Sequence, residues 1–418
     1  MQSFRIGQQT LSTSDSNLAA ALCNAHEHKL RPTCLCVPQG VSMYVAHVGD
    51  RFIAKRMPNS GSRHHPDCDS YEPPAELSGL GEVNGSAIQE DVDSGVVTLK
   101  LDFSLSKVSR RTQPLATAGE AESVRTDGKK LTLRGALHYL WDEAGLNRWS
   151  PAMAGKRSWF VVRKYLLEAA ENKTAKGLAL GSSLFIPETF NADHKRDIHE
   201  RQLAKLLPAR VHAGSTRKLM LLIGEVKKVD TARYGQKLVV KHLPDLPFML
   251  ADDLSNRMAK RFETELALWN SDETTHLVAI ATFGFDNAGV AAVEEMALVL
   301  TTENWIPVEH VHDLQLLAAL TDTGRRFSKG MRYNLASSRP LASAVLSDTA
   351  PLPFALYAIP PNVSDEYRLA LEVLTANSEL AQWIWMAGEA SMPSLPVRAR
   401  TVPFAIEVSR RATQNSSP

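Results

Sequence analysis

The sequence predicts an α+β protein with a small β-rich N-terminal module, a central helical and α+β region and a C-terminal module. A chain of 418 residues is longer than a single hydrophobic core usually organises. Alternating apolar residues, as in VVTLKLDFSLSK, indicate strands, and apolar residues three or four apart, as in KRSWFVVRKYLLEAAEN, indicate helices. The predicted parts are a β module over 1–105, a linker over 106–130, a central domain over 131–305, a C-terminal α/β domain over 306–408 and a disordered tail over 409–418.

The composition is that of an ordinary folded protein, with 44% hydrophobic and 22% charged residues. A net charge of +1 argues against a polyanion-attracting field around the whole molecule, although local basic patches can still hold phosphate. The chain has no apolar run of about 18 residues, and its first residues lack the pattern of a secretory signal. We therefore expect a cytoplasmic protein with no membrane partner.

A β-hairpin is predicted near the N-terminus. The segments SMYVAHV and RFIAKRM are rich in residues that favour strands, and the turn pair Gly49-Asp50 separates them. A second turn is expected at Gly40, before the first strand. The two ends of such a hairpin lie side by side, so residues just before it and just after it should meet.

Cysteines and histidines stand at those two ends. Cys34 and Cys36 precede the hairpin, and His64, His65 and Cys68 follow it. Three thiolates and one imidazole form a tetrahedral ligand set that suits Zn²⁺. We predict one zinc ion per chain, bound by Cys34, Cys36, Cys68 and His64, with His65 as the alternative ligand.

The role expected for this zinc ion is structural. A catalytic zinc keeps an open position for water, whereas four good protein ligands close the coordination shell. Asp67 and Glu72 lie close in sequence but are not needed to complete it. Cys23, the fourth cysteine, stands on an apolar stretch and is expected to be a buried free thiol.

The central region alternates helix and strand patterns. LRGALHYLWDEAGL, after Thr132, and KRSWFVVRKYLLEAAEN predict two helices. LMLLIGEVKKV and KLVVKHL predict paired strands around Arg233-Tyr234-Gly235. The segment DDLSNRMAKRFETELALW predicts a further helix, and HLVAIATF and VAAVEEMALVL predict two more strands.

The C-terminal region has the predicted order helix, three strands, helix and strand. This αβββαβ succession resembles the core of restriction-endonuclease-like nucleases. Such enzymes carry an Asp on the second strand and a Glu-x-Lys on the third, which hold a divalent metal and assist the attacking water. Here the second strand offers Ser343 and the third offers Ala355 and Tyr357. The resemblance therefore implies a degenerate core without hydrolytic chemistry.

An alternative is a divalent-metal nuclease whose acids lie elsewhere in this region. The nearest candidates are Glu309, Asp313, Asp322 and Asp348. Two or more of these carboxylates would have to share one metal ion.

A run of basic and aromatic residues follows the first C-terminal helix. It could grip phosphates and stack on bases, or it could be a strand edge defended by charge. Its members are Arg325, Arg326, Phe327, Lys329, Arg332 and Tyr333.

Several segments resemble an uncharacterised bacterial family known as domain of unknown function 1173. They are RPTCLCVPQGVSMYVAHVGDRFIAKRMPNSGSRHHPDCDSYEPPAELSGLG, KGMRYN, LASAVLSDTAPLPFALYAIPP and the WIW and MPSLP segments near the end. The resemblance implies a setting on conjugative plasmids and integrative elements. A zinc knuckle before a nuclease-like domain is also similar to competence-associated proteins that handle incoming DNA.

These observations predict a zinc-stabilised, non-catalytic protein associated with DNA in mobile-element transfer or maintenance. Its expected partners are DNA and proteins of conjugation or mobile elements. The alternatives are the divalent-metal nuclease and a protein-interaction scaffold with the central region as its docking surface.

Overall fold

The computed structural model describes residues 2–108, 128–210, 216–232 and 235–399. Most of the predicted linker (109–127 of 106–130), the turn residues 233–234 and the predicted tail (409–418) lie outside the described residues. Helices and several separate sheets give the α+β class that the sequence predicts. None of the helices in the described ranges has the length and apolar character that a membrane crossing needs.

The N-terminal module is a five-stranded sheet with a helix packed against it. Its strand order is β2-β1-β3-β4-β5, and the predicted hairpin is confirmed, since β4 and β5 pair from Met43 with Arg56 to Val48 with Arg51. Phe4 and Leu22 contribute to its core. In chain order its elements are β1 (Ser3–Ile6), β2 (Gln9–Ser12), α1 (Leu18–Glu27), β3 (Thr33–Cys34), β4 (Val41–Val48) and β5 (Arg51–Arg56).

A short segment of small elements follows. The 3₁₀ turns Gly61–Arg63 and Ala75–Leu77 lead into α2 (Leu80–Val83), β6 (Ile88–Glu90), β7 (Val97–Leu99) and β8 (Ser106–Val108). The predicted strand over 97–105 is too long, because the ladder ends at Leu99 and the chain then bridges Leu101 with Leu131. Alternate residues from Val97 to Phe103 are nevertheless buried, as the pattern predicts.

Two helices then form as the sequence predicts. Thr132 caps the first, its side chain accepting a hydrogen bond from the Gly135 N–H at 3.0 Å, and Gly145 follows its end with φ +65°. The sheet order β11-β10-β7-β6 joins this region to the preceding one, and β13 pairs with β8. The elements are α3 (Leu133–Glu143), β9 (Arg148–Trp149), the 3₁₀ turn Pro151–Met153, α4 (Trp159–Ala170), β10 (Lys173–Ala175), β11 (Leu178–Ala179), α5 (Leu180–Ser183), β12 (Leu184–Phe185), α6 (Lys195–Arg210) and β13 (Thr216–Lys218).

A closed β-barrel occupies the middle of the chain. Its elements are β14 (Met220–Thr231), β15 (Gln236–Val240), β16 (Phe248–Leu250), α7 (Asp252–Arg261), α8 (Glu263–Ser271), β17 (His276–Phe285), β18 (Ala291–Thr301) and β19 (Pro307–Val308). Pairing runs β14-β15-β16-β18-β17 and returns to β14, which closes the sheet. The single predicted helix is divided at Phe262, whose side chain is buried and whose backbone leaves the helical conformation (φ −115°, ψ 30°).

The C-terminal part has the predicted element order. It comprises α9 (Val311–Asp322), β20 (Phe327–Lys329), β21 (Ala344–Leu346), β22 (Phe354–Ile359), α10 (Asp365–Ala376) and β23 (Ala381–Met386), and β9 completes a sheet of order β23-β22-β21-β20-β9. The first two of the three predicted strands, β20 and β21, have only three residues each. Between them Gly330 approaches Ala342 so closely that a Cβ would lie 2.0 Å from the Ala342 carbonyl oxygen, and the ladder ends there.

Candidate metal centre

Three cysteines and one histidine converge beside the N-terminal sheet. Cys34 ends β3, and Cys36 lies two residues beyond it. His64 follows the 3₁₀ turn Gly61–Arg63, and Cys68 lies in the turn after that. The hairpin returns the chain to the edge where it started, so the two halves of the set meet as predicted. One donor atom from each of the four side chains lies within 4.8 Å of the others, a group that could hold a metal ion.

The spacing of these donors fits a tetrahedral metal. With Zn–S near 2.3 Å and Zn–N near 2.05 Å, a tetrahedron has S–S edges of about 3.8 Å and S–N edges of about 3.6 Å. The Cys34 and Cys68 sulfurs are 3.7 Å apart. His64 Nδ1 lies 3.4 Å from the Cys36 sulfur and 3.7 Å from the Cys68 sulfur. A disulfide, in contrast, needs a sulfur separation of about 2.05 Å.

The structure places His64, and not His65, in the group. His64 is 2% exposed and turns its Nδ1 toward the thiols. The His65 side chain is 44% exposed and lies 3.8 Å from the Asp67 carboxylate. The two adjacent histidines therefore point in different directions, and the first fits as the nitrogen ligand.

Hydrogen bonds to sulfur surround the centre. The Gln2 amide donates to the sulfurs of Cys34 (3.4 Å) and Cys68 (3.5 Å), and the His65 backbone N–H donates to the Cys36 sulfur (3.4 Å). The hydrogen bond between the Cys34 and Cys68 thiols lowers the pKa of Cys34 and raises that of Cys68, and burial raises the pKa of Cys36. The N–H donors of Gln2 and His65 stabilise thiolates, the form that binds metal. Sequence reasoning missed Gln2, because it lies more than thirty positions from the first ligand it contacts.

The basic and aromatic run at 325–333 is mostly buried. Arg325, Lys329 and Arg332 have exposed fractions of 5%, 2% and 7%, and Phe327 and Tyr333 are buried with them. Arg326 is the exception, with a 39% exposed side chain 2.7 Å from the Asp67 carboxylate. Of the six side chains considered for contact with nucleic acid or for an exposed strand edge, only that of Arg326 is therefore accessible at the surface.

The burial of these cations has a physical reason, since buried charges need paired charges. Their partners are three of the four acids considered for a nuclease site, while the fourth, Asp322, is exposed at the end of α9. The pairs are Arg325 with Asp348 at 2.8 Å, Lys329 with Asp313 at 3.3 Å, and Arg332 with Glu309. Among the residues that the structure describes, the Cys/His cluster is the one group of three or more Cys, His, Asp or Glu side chains whose donor atoms lie close enough together to hold a metal ion.

A cavity of about 510 Å³ lies between the N-terminal module, α3 and the C-terminal part. Its wall includes Glu72, Asp142, Glu143, Arg148 and Tyr333. The Asp142 carboxylate accepts a hydrogen bond from the Tyr333 hydroxyl at 2.7 Å. Burial, and then the nearby charge of Glu72, raise the pKa of Asp142 to about 6. Burial alone would raise the pKa of Glu143, but Lys173 and Lys55 outweigh it and lower that pKa.

Sequence reasoning missed this cavity, because its residues come from β5, the loop after the metal ligands, α3 and the C-terminal part. One local signal was available. Asp142 and Glu143 stand in the last turn of α3, where the helix dipole disfavours negative charge. An acid at such a position is a candidate for a functional role or for a specific ion pair.

Comparisons with known proteins give one match. No curated protein and no solved structure is similar enough to this chain to be matched. The family model described as "Protein of unknown function (DUF1173)" matches residues 4–388, nearly the whole chain. The chain therefore belongs to the DUF1173 family.

Proposed function

We propose that the Cys/His cluster holds one structural zinc ion and that the protein is a non-catalytic, DNA-associated component of bacterial mobile elements. The metal part is carried by the three sulfurs and one nitrogen at the spacing of a tetrahedral zinc shell. Four protein ligands leave no position for the water that a catalytic zinc activates, which supports a structural role.

The location of the cluster suits a stabilising role. The metal-binding loop carries Asp67, whose carboxylate pairs with Arg326, and Asp69, whose carbonyl accepts from Arg148 at 2.8 Å. Both arginines belong to or adjoin the C-terminal sheet. A metal that fixes this loop therefore also fixes contacts between the N-terminal module and the remainder of the protein.

Association with DNA is supported by the closed barrel. Its strand circuit, β14-β15-β16-β18-β17, with the third and fifth strands parallel and helices between the third and fourth, is the arrangement of an OB-fold. OB-folds bind oligonucleotides and oligosaccharides. The mobile-element setting rests on the sequence resemblance given above.

Elemental analysis and DNA binding test the two halves of this proposal. We expect one zinc per chain in the purified protein, lost in Cys36→Ser and retained in Cys23→Ser, which removes a thiol outside the cluster. Binding to labelled single- or double-stranded DNA should be measurable at about 50 mM salt. Absence of zinc refutes the first half, and absence of binding to either DNA refutes the second.

The cavity favours an enzyme as the second candidate function. The adjacent acids Asp142 and Glu143 have pKa values displaced in opposite directions, a pattern typical of acid and base pairs. A divalent-metal nuclease would degrade DNA with Mg²⁺ or Mn²⁺. If the active site lies in the cavity, Asp142→Asn should abolish this activity. If it lies at Asp348 in the C-terminal part, Asp348→Ala should abolish it. No degradation by the native chain rejects this candidate.

A further inference from the structure

The barrel is closed by one long, bent strand. β14 pairs with β17 along its first half and with β15 along its second half. The change of partner falls between Glu225 and Val226, next to a bulge between Val226 and Lys228. A bulge bends a strand and increases its twist, which lets one strand belong to both sides of a small barrel. The two halves of β14 therefore face different surroundings.

One side of the barrel is covered by the remainder of the protein. Leu221 and Ile223 of β14 and Ile280 of β17 are at most 1% exposed. Helices α3, α6 and α8 pack near these strands. This half contributes to the main hydrophobic core and offers no binding surface.

The other side is open. We call its outward-facing residues the open face: Lys228 and Asp230 of β14, Lys237 and Val239 of β15, and Met249 of β16. Cross-strand pairing places them on one surface, since Lys228 opposes Val239, Asp230 opposes Lys237, and Lys237 opposes Met249. The alternate residues of β15 and β16, such as Leu238 and Phe248, are fully buried inside the barrel. Strands two and three of an OB-fold are those that bind ligands.

The open face carries an excess of positive charge. The Asp230 carboxylate lies 2.8 Å from the Lys228 ammonium and 4.0 Å from the Lys237 ammonium, so two cations share one anion. Their side chains are 54% and 38% exposed. Lys227, exposed at the bulge, adds a third cation beside them. An anionic chain therefore complements this surface better than a neutral one.

Its dimensions suit a single strand. Three strands spaced about 4.8 Å apart give a face about 10 Å wide, enough for one backbone with its bases turned onto the surface. Val239 and Met249 supply apolar contact for base planes between the lysines. A duplex keeps its bases stacked inside and could use only the cations. Among the described residues the open face has no aromatic ring, so phosphate contacts must supply most of the affinity.

We propose that the open face binds single-stranded nucleic acid, with phosphates on Lys228 and Lys237 and bases on Val239 and Met249. This inference rests on the proposed association with DNA and names its surface and its ligand class. Binding is independent of base sequence and steeply dependent on salt, because the contacts are to phosphate.

The test uses the full chain and a fluorescently labelled thymidine oligonucleotide of about 20 nucleotides, followed by anisotropy from about 25 to about 200 mM salt. Lys228→Glu/Lys237→Glu should weaken binding at least tenfold at the lowest salt. It should also reduce the slope of log affinity against log salt by about 1.4, since each lost phosphate contact on a single strand contributes about 0.7. Asp230→Asn should strengthen binding about threefold, because it removes the anion that the lysines share.

The matched control is Lys164→Glu/Lys195→Glu. These lysines are 56% and 57% exposed on α4 and α6, and their replacement changes the net charge by the same amount. The control should bind within about twofold of the native chain. Circular dichroism verifies that each variant is folded. If Lys228→Glu/Lys237→Glu is misfolded, Lys228→Ala/Lys237→Ala takes its place.

The outcomes separate the two proposals. Loss of binding confined to Lys228→Glu/Lys237→Glu supports the open face. DNA binding that both double variants retain equally overturns the open face but leaves DNA association standing. No binding of any DNA by the native chain overturns both. Equal affinity for a duplex of the same length, or displacement by a neutral oligosaccharide, overturns the assignment to single strands.

Discussion

Replacing Arg325 by methionine should destabilise the protein strongly, although the sequence suggests a surface cation at this position. The guanidinium Nε lies 3.2 and 3.0 Å from the two Asp348 oxygens, and the second terminal nitrogen lies 2.8 Å from Oδ1. The remaining nitrogen donates to the Pro396 carbonyl at 2.6 Å. The two charged side chains are only 6% and 8% exposed. Methionine keeps the apolar stem and removes all four hydrogen bonds.

The magnitude follows from what remains around Asp348. Breaking a buried ion pair by removing one partner costs about 3–5 kcal/mol. The Arg326 backbone N–H at 3.0 Å and the half-exposed Arg398 at 3.3 Å still hold the carboxylate. We therefore expect the lower end, about 3 kcal/mol. With an unfolding entropy of about 2.1 cal/mol/K per residue over 418 residues, this lowers the unfolding temperature by about 3–4 °C.

The adjacent arginine provides the matched control. Arg326→Met makes the same substitution in a pair with Asp67 whose side chains are 39% and 59% exposed. Exposed ion pairs contribute about 0–1 kcal/mol, so its unfolding temperature should fall by about 1 °C at most. Thermal unfolding followed by circular dichroism compares both variants with the native chain.

The effect should depend on pH. Burial alone raises the pKa of Asp348, but hydrogen bonds from Arg325 and from the Arg326 backbone outweigh it, so the pKa in the folded protein is lowered. An acid whose pKa is lowered by folding stabilises the folded state at pH values above its pKa in the unfolded chain, about 3.9. This stabilisation is lost as the pH falls through its pKa in the folded protein. The difference between Arg325→Met and the native chain should therefore be full at neutral pH and shrink below about pH 4.

Two results would contradict this reasoning. An unfolding temperature for Arg325→Met no lower than that of Arg326→Met would mean that the pair is not buried as described. A double variant Arg325→Met/Asp348→Asn that is less stable than Arg325→Met would mean that the cost does not come from an uncompensated carboxylate, because removing both charges should recover stability.

Three further predictions concern the metal, the backbone and the cavity. Cys36→Ser should lose zinc and unfold at lower temperature, whereas Cys23→Ser should match the native chain in metal content and stability. Gly330→Ala should lower the unfolding temperature markedly, since its Cβ would lie 2.0 Å from a backbone oxygen, while Gly181→Ala, with no atom within 4 Å, should be neutral. The pKa of Asp142 is raised to about 6, so its ionisation destabilises the folded state as the pH rises from about 4 to 6; Asp142→Asn should gain stability relative to the native chain over that range, and a constant difference in thermal unfolding would contradict this.

The features that the sequence predicted correctly are local. The β4–β5 hairpin follows from two strand segments around one turn pair, and it brings Cys34, Cys36, His64 and Cys68 together because they stand at its two ends. The choice between His64 and His65 depended only on which side chain turns inward. In each case the residues that decide the outcome lie within a few positions of one another or across a single hairpin.

The features that could not be predicted from the sequence depend on contacts between residues that lie far apart in the chain. Lys329 and Arg332 were expected at the surface because a single segment does not show that Asp313 and Glu309 meet them on another element. The strands of the barrel were mostly predicted, but its closure depends on the pairing of β14 with β17 and of β16 with β18. Each of these contacts joins segments that no local pattern relates.

The two sites proposed here differ in what they require of the surrounding structure. The metal cluster is held by one hairpin and one loop, so its ligands can assemble as soon as the N-terminal module folds. The open face exists only when the barrel closes and when helices cover the other half of the barrel. Without those helices, the barrel would expose apolar residues such as Ile223 and Ile280. Loss of zinc should therefore loosen the loop that carries Asp67 and Asp69, while binding at Lys228 and Lys237 depends on the barrel. Zinc removal that abolished single-strand binding while leaving the barrel folded would mean that the two sites are coupled through the loop.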